Sequence, residues 1–324
     1  MASYIVRRIL LAIPVLFVLT LFSFLALRLA PGDPITARIS PFLLAQMDPA
    51  TIAARRHELG LDQPLLVQYF RWLQDVLHGD LGYSVISGAS TAMEIGPRIG
   101  PTLILMGTAI VIAIFVGIPL GVLSAVRQYS FLDYATTGFA LLMIVVPGFV
   151  LGLASIYLFG VFIPILPTRG MVTLGVPFSV VDLFRHLVLP ATILGFGFAA
   201  PLVRYTRASM LEVLNTEYVT TATAKGISRR RVLIRHAFRN ALLPVITILG
   251  LYLPELIGGA VVIEQIFSWP GMGSLAVRAA NDRDPAIMMG VLLIVSTTVL
   301  ASSLIADIAY AASDPRVRLG HSTD

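Results

Sequence analysis

The chain has no cysteine, and charged side chains make up 13% of its 324 residues, where a soluble domain carries about 25%. Without thiols there is neither a disulfide framework nor a thiolate metal centre. The histidines, His57, His78, His186, His236 and His321, are scattered without ligand spacing, so no structural metal is expected. Lys225 is the sole lysine, and Gly226-Ile227 follows it. The Gly-Lys-Ser/Thr loop that cradles nucleotide phosphates is therefore missing, and any ATP-driven work needs a partner. No Ser/His/Asp constellation and no paired carboxylates mark a hydrolase. The formal charge of +5 does not point to nucleic acid, because the basic residues border apolar runs and are not interleaved with aromatics.

What the chain has instead is apolar surface, with 57% hydrophobic residues. Arg7 and Arg8 precede Ile9 to Ala30, long enough to cross a hydrocarbon core of about 30 Å at 1.5 Å per residue. A signal peptide is the competing reading. The run exceeds the usual apolar region of a signal, and Arg28 with Pro31 spoils a small-residue cleavage site. Pro31-Gly32-Asp33-Pro34 stops the helix. Five further spans are expected over Pro101 to Val126, Tyr134 to Phe162 with a kink at Pro147-Gly148, Leu187 to Val203, Ala241 to Ile263, and Ile287 to Ala312. Gly195-Phe196-Gly197 reads as helix packing, since no alternating strand and helix pattern surrounds it.

Residues 31–100 read as an extramembrane segment. Within it Asp62 to Gly79 predicts a helix capped at Asp62 or Gln63, with Leu65, Leu66, Tyr69, Phe70, Leu73, Val76 and Leu77 on one stripe. That stripe wants a surface, either the chain's own membrane helices or a lipid headgroup layer.

The most polar interruption is the loop from Arg204 to Asn240. Glu217 in a first turn, Lys225 in a last turn and Gly226 beyond describe a short helix with a glycine C-cap, and Ser228 starts a second. A helix of about nine residues is too short to stand alone in water and needs a tertiary partner. Ala222, Ala224 and Gly226 would let another surface approach closely. An ordinary hairpin packed on its own protein is the alternative.

Order and spacing in this loop resemble the membrane permease subunits of ATP-binding-cassette importers, and most closely the B-type subunit of the dipeptide, oligopeptide and nickel branch. Glu217, Tyr218, Ala222, Ala224, Lys225, Gly226, Ser228, His236, Arg239, Asn240 and Pro244 stand where that branch has these types. The wider family's Glu-Ala-Ala opening falls on Thr220, Thr221 and Ala222, so the match is to the peptide branch. Further matches are Pro31 to Pro34, Gly79-Asp80-Leu81-Gly82, the stretch Glu264 to Gly273, and Asp314-Pro315-Arg316.

The resemblance implies an all-α, six-span permease of the type I importer architecture, with the loop as the coupling helix that docks in an ATPase. It implies a second homologous permease, two ATP-binding-cassette subunits carrying ATP and Mg, and an external substrate-binding protein, with no cofactor in this chain. The division is then residues 1–30 as amino terminus and first span, 31–100 outside, and 101–324 as the permease core containing the 204–240 loop. Eight basic residues in that loop against Arg169, Arg185, Arg278 and Arg283 in the outward short loops put the loop and both termini in the cytoplasm of a bacterial plasma membrane.

Charges inside spans are costly and therefore candidates for function. Glu255, with Pro254 and Gly258 around it, reads equally as a pathway acid or as a helix-packing acid, and Glu264 and Asp307 lie nearer span ends. Short peptides are the expected cargo. Nickel chelates or glutathione are same-branch alternatives, and an ion-coupled secondary carrier or a structural membrane anchor are readings from other classes.

Overall fold

Small residues recur at every fourth position, Ala109, Ala113, Gly117, Gly121 and Ala125, and all are buried. They form one ridge of a long helix, and that ridge positions everything else. The computed structural model describes residues 2–29, 48–58, 60–228, 231–252 and 261–313. In chain order the helices are α1 (Ala2–Leu29), α2 (Pro49–Glu58), α3 (Leu65–Leu77), α4 (Thr91–Val126), α5 (Phe131–Val145) and α6 (Gly148–Ile156). There follow α7 (Val180–Leu214), α8 (Glu217–Ala224), α9 (Arg239–Tyr252), α10 (Val261–Ile266), α11 (Met272–Asp282) and α12 (Pro285–Ser313). Two π-helical stretches, Tyr157–Phe162 and Val232–Phe238, extend α6 and lead into α9.

The ridge of α4 packs on α7, running parallel to it. A Cβ on Gly117 would lie 2.7 Å from Leu202 Cβ, one on Gly121 2.6 Å from Thr206 Cβ and 2.8 Å from Val203 O, and one on Gly195 2.7 Å from Ile112. The two backbones touch because no side chain separates them, which is how membrane helices gain dispersion contact without a hydrophobic drive. Gly121→Val should therefore force the pair apart at a cost of about 1–3 kcal/mol. Thermal unfolding in detergent should show a clear loss for Gly121→Val and little for Gly138→Val, whose Cβ meets nothing within 4 Å. Equal losses would contradict the ridge.

Helices α5 and α9 cross the other sides of α7 in the opposite direction, with Ala140 against Ala200 and Val203, and Val245 against Ala199 and Leu202. Helix α12 lies between α1 and α4, where Met289 meets Phe24 and Ile287 meets Ile95.

Among the described residues four helices are long and apolar enough to cross a membrane, and α5 with α6, bent by 98°, makes a fifth when the pair is taken as one span. Among the described residues these correspond to five of the six expected spans. The fifth sequence run, Ala241 to Ile263, appears as α9 and α10, with residues 253–260 outside the described set. Two helices extend outward: α4 starts at Thr91 instead of Pro101, and α7 runs from Val180 to Leu214 instead of Leu187 to Val203. At 1.5 Å per residue α4 is about 54 Å long, so its first turns project beyond a hydrocarbon core of about 30 Å.

The amphipathic helix α3 packs partly on the chain's own membrane domain. Tyr69 is fully buried, its hydroxyl 2.9 Å from Thr20 Oγ1, its ring edge-on to Phe17 and Phe24 of α1. Leu66, Phe70 and Leu77 of the same stripe stay exposed. The cap differs from expectation: Pro64 precedes the helix, and Asp62 instead accepts a hydrogen bond from the His57 ring at 2.7 Å. That bond holds the His57 pKa up and the Asp62 pKa down.

Candidate functional site: the coupling loop and its supports

Helix α7 ends at Leu214, and a tight turn leads into α8, with the Val219 and Thr220 N–H groups bonded to Thr216 O at 3.1 and 3.3 Å. Eight residues follow, closed by Gly226 at φ +77°. The Lys225 N–H bonds Thr221 O at 3.0 Å and the Ile227 N–H bonds Ala222 O at 3.3 Å. That second bond, spanning a glycine in the left-handed region, is the Schellman closure expected of a glycine C-cap. Val219 is buried and anchors the helix, while Glu217, Tyr218, Ala224, Lys225 and Gly226 are exposed, and Ala222 is half-buried. The loop thus offers a short capped helix whose exposed side mixes Glu217, Tyr218 and Lys225 with Ala224 and Gly226.

Ser228 begins the next helix through its backbone, its carbonyl accepting from Arg231 and Val232 at 2.9 and 3.1 Å. His236 lies in the π-helical stretch and Arg239, Asn240 and Pro244 in α9. The side chains of His236, Asn240 and Pro244 lie outside the described set.

Beneath the loop is a pair that the sequence reading missed. Arg207 donates to both oxygens of Asp133, Nε to Oδ1 at 2.7 Å and Nη2 to Oδ2 at 2.9 Å. Such fork-on-fork pairing is stronger and more directional than a single contact. Ser124 Oγ donates to the same carboxylate, and the Tyr129 N–H does so at 3.0 Å. Three elements are tied there: the end of α4, the turn into α5, and α7 two turns before it ends. Arg204 and Arg207, expected in the loop, sit within α7. The sequence signal for Asp133 is Ser130, whose hydroxyl accepts from the Asp133 N–H at 3.3 Å as a helix cap.

At the opposite end of the bundle Glu264, expected among the pathway candidates, is fully buried within this chain. Thr102 Oγ1 donates to its Oε1 at 2.8 Å and the Ser274 N–H to its Oε2 at 2.9 Å, while the Met272 N–H bonds Thr102 Oγ1 at 2.8 Å. A Cβ on Gly271 would sit 2.1 Å from Glu264 Oε1. The Trp269-Pro270-Gly271-Met272-Gly273 motif is therefore the cradle of this carboxylate, joining α4, α10 and α11. Glu255, Pro254 and Gly258 lie outside the described residues, as does the side chain of Asp307 on α12. Among the described residues no group of three His, Asp or Glu side chains could hold a metal ion.

Comparison with known proteins bears on this geometry. Residues 117–319 match the family described as the binding-protein-dependent transport system inner membrane component, and residues 1–92 match the N-terminal part of such membrane components. The chain belongs to this permease family. A putative peptide permease of Brucella suis is 44% identical over 320 residues, covering 98% of this chain and all of the relative. The oligopeptide transport system permease AppB of Bacillus subtilis is 44% identical over 322 residues, covering 98% and 99%. The glutathione transport system permease GsiC of Escherichia coli is 36% identical over 318 residues, with the same shares. The fold resembles the inward-facing MetNI methionine ABC transporter, with a TM-score of 0.54 at 16% identity over 68% of this chain and 96% of that one. The permease is therefore an inner-membrane transport subunit with the type I importer fold.

Proposed function

We propose that this permease forms half of a translocation pathway for short peptides, pairing with a second homologous permease and driven inward by two separate ATPase subunits that carry ATP and Mg. The observation that carries the reading is α8: eight residues, anchored by Val219, closed by a Schellman glycine and exposed at Glu217, Thr220, Thr221 and Ala224. A helix too short to persist alone, capped and with most of its residues exposed, is a shape for a groove on another protein. The ATP-binding loop that this chain lacks would stand on that protein. The basic residues around α8 support a cytoplasmic side for it and for both termini. An extracytoplasmic receptor would deliver cargo, since a peptide's amides and charged ends cannot cross hydrocarbon bare.

Peptide cargo follows the 44% relatives named for peptides and oligopeptides. Glutathione, itself a tripeptide, is the second reading and follows GsiC. Uptake into proteoliposomes holding the purified complex, with its receptor on the outside and ATP inside, tests both. Uptake of a labelled di- or oligopeptide that requires ATP and the receptor is the expected result. Uptake driven by a proton or sodium gradient without ATP would replace this reading with an ion-coupled carrier.

A further inference from the structure

The span made of α5 and α6 breaks at Val146-Pro147 and bends by 98°. The Val146 N–H, bonded to Leu142 O at 2.9 Å, is the last rung of α5. The first rungs of α6 are the Val150 and Leu151 N–H groups on Pro147 O, at 2.9 and 3.4 Å. Pro147 has no N–H to bridge the gap. Among the described residues nothing donates to the carbonyls of Met143, Ile144, Val145 and Val146, and nothing accepts from the N–H groups of Gly148 and Phe149.

The chain does not cover this break. Val145 is 74% exposed and Phe149 47%, and a Cβ on Gly148 would meet nothing within 4 Å. The break also lies deep. Fifteen residues of α5 rise about 22 Å from its start, inside a hydrocarbon layer of about 30 Å. Phe139, about 10 Å before the break along α5, stacks edge-on with Phe196, midway along α7, so the break stands about 10 Å past the middle of the layer and still inside its half-thickness of about 15 Å. Unpaired peptide groups are not tolerated against lipid chains, and irregular backbone at that depth is found only where protein covers it or water reaches it.

We infer that the Val145–Phe149 break lines the water-filled pathway and offers its unpaired carbonyl edge to the backbone of the passing peptide, an inference that rests on the proposed peptide import. The chemistry matches in kind. Acceptors outnumber donors at the break, so the edge is electronegative and favours a terminal ammonium and amide N–H groups, while the two free N–H groups meet cargo carbonyls. Contacts made by backbone to backbone do not depend on the cargo's side chains. Gly148 keeps the edge reachable.

The absence of native cysteine makes the test direct. Single thiols are introduced by Gly148→Cys and Val145→Cys, with Phe22→Cys on the exposed side of α1 as reference, in the complete complex in proteoliposomes. A charged methanethiosulfonate sulfonate, which reacts in water and not in lipid, is the probe. Labelling at 145 and 148 is expected at least tenfold faster than at 22, and slowed by saturating peptide with receptor. Rates as slow as at 22 would overturn the inference, whether lipid or the second permease covers the break. Val145→Cys carries the test if Gly148→Cys lowers yield. Fast labelling that glutathione slows and a dipeptide does not would support the hydrated break while removing the broader peptide reading.

Discussion

Gly226→Asp should leave the chain inserted and abundant yet reduce ATP-driven uptake at least tenfold. Gly226 sits at φ +77°, a conformation that costs an ordinary L-residue about 1–2 kcal/mol. A side chain there also stands on the exposed end of α8, facing whatever docks on it. The two contributions can be separated. Asparagine tolerates the left-handed region nearly as well as glycine at a helix end, so Gly226→Asn removes most of the backbone penalty and keeps the bulk. If conformation dominates, Gly226→Asn transports almost normally and Gly226→Ala shows an intermediate loss. If the dock is crowded, Gly226→Asn fails with Gly226→Asp and both lose their ATPase on purification. Normal uptake and normal ATPase retention in Gly226→Asp would remove α8 from the coupling role.

That short helix was legible because its signals are local. Glu217, Lys225 and Gly226 act through the helix dipole and a backbone angle, and the observed Glu217–Ala224 helix differs from the expected one by a residue at its end. The break at Pro147 was legible for the same reason, since a missing N–H is a property of one residue. Its 98° bend was not, because the size of a bend is set by what packs on either side. Here Gly152 of α6 packs so near α10 that a Cβ on it would lie 3.6 Å from Ile263 and Ile266.

Glu264 shows the opposite case. A carboxylate near a span end reads as a pathway residue from the sequence, and its partner Thr102 lies 162 residues earlier in the chain. No spacing rule joins those two. The four-residue repeat of Ala and Gly in α4 was present in the sequence, but a ridge acquires meaning only when a second helix is known to lie on it. The Asp133–Arg207 pair is likewise non-local, 74 residues apart, and each partner alone reads as an ordinary charge at a span end.

The consequences of breaking that pair should be unequal. Asp133 is 5% exposed and Arg207 29%, so removing either partner leaves a partly desolvated group, at a cost near the lower end of about 3–5 kcal/mol. Arg207→Leu strips one donor fork from Asp133, but Ser124 and the Tyr129 N–H still donate to its carboxylate. Asp133→Leu removes the shared acceptor, leaving the guanidinium, the Ser124 hydroxyl and the Tyr129 N–H all unpaired, and unmade bonds cost more than made ones contribute. Asp133→Leu should therefore lower detergent-extracted yield and thermal midpoint more than Arg207→Leu does. Exchanging the charges, with Asp133→Arg and Arg207→Asp together, should rescue only in part, because an arginine at 133 would face two donors in place of acceptors. Because Arg207 lies two helical turns before the end of α7, the surviving fraction should also import fewer peptides per ATP hydrolysed. Full rescue by the exchanged pair, or a milder effect of Asp133→Leu than of Arg207→Leu, would show that Coulomb attraction alone holds the junction and that the acceptor role of Asp133 is wrong.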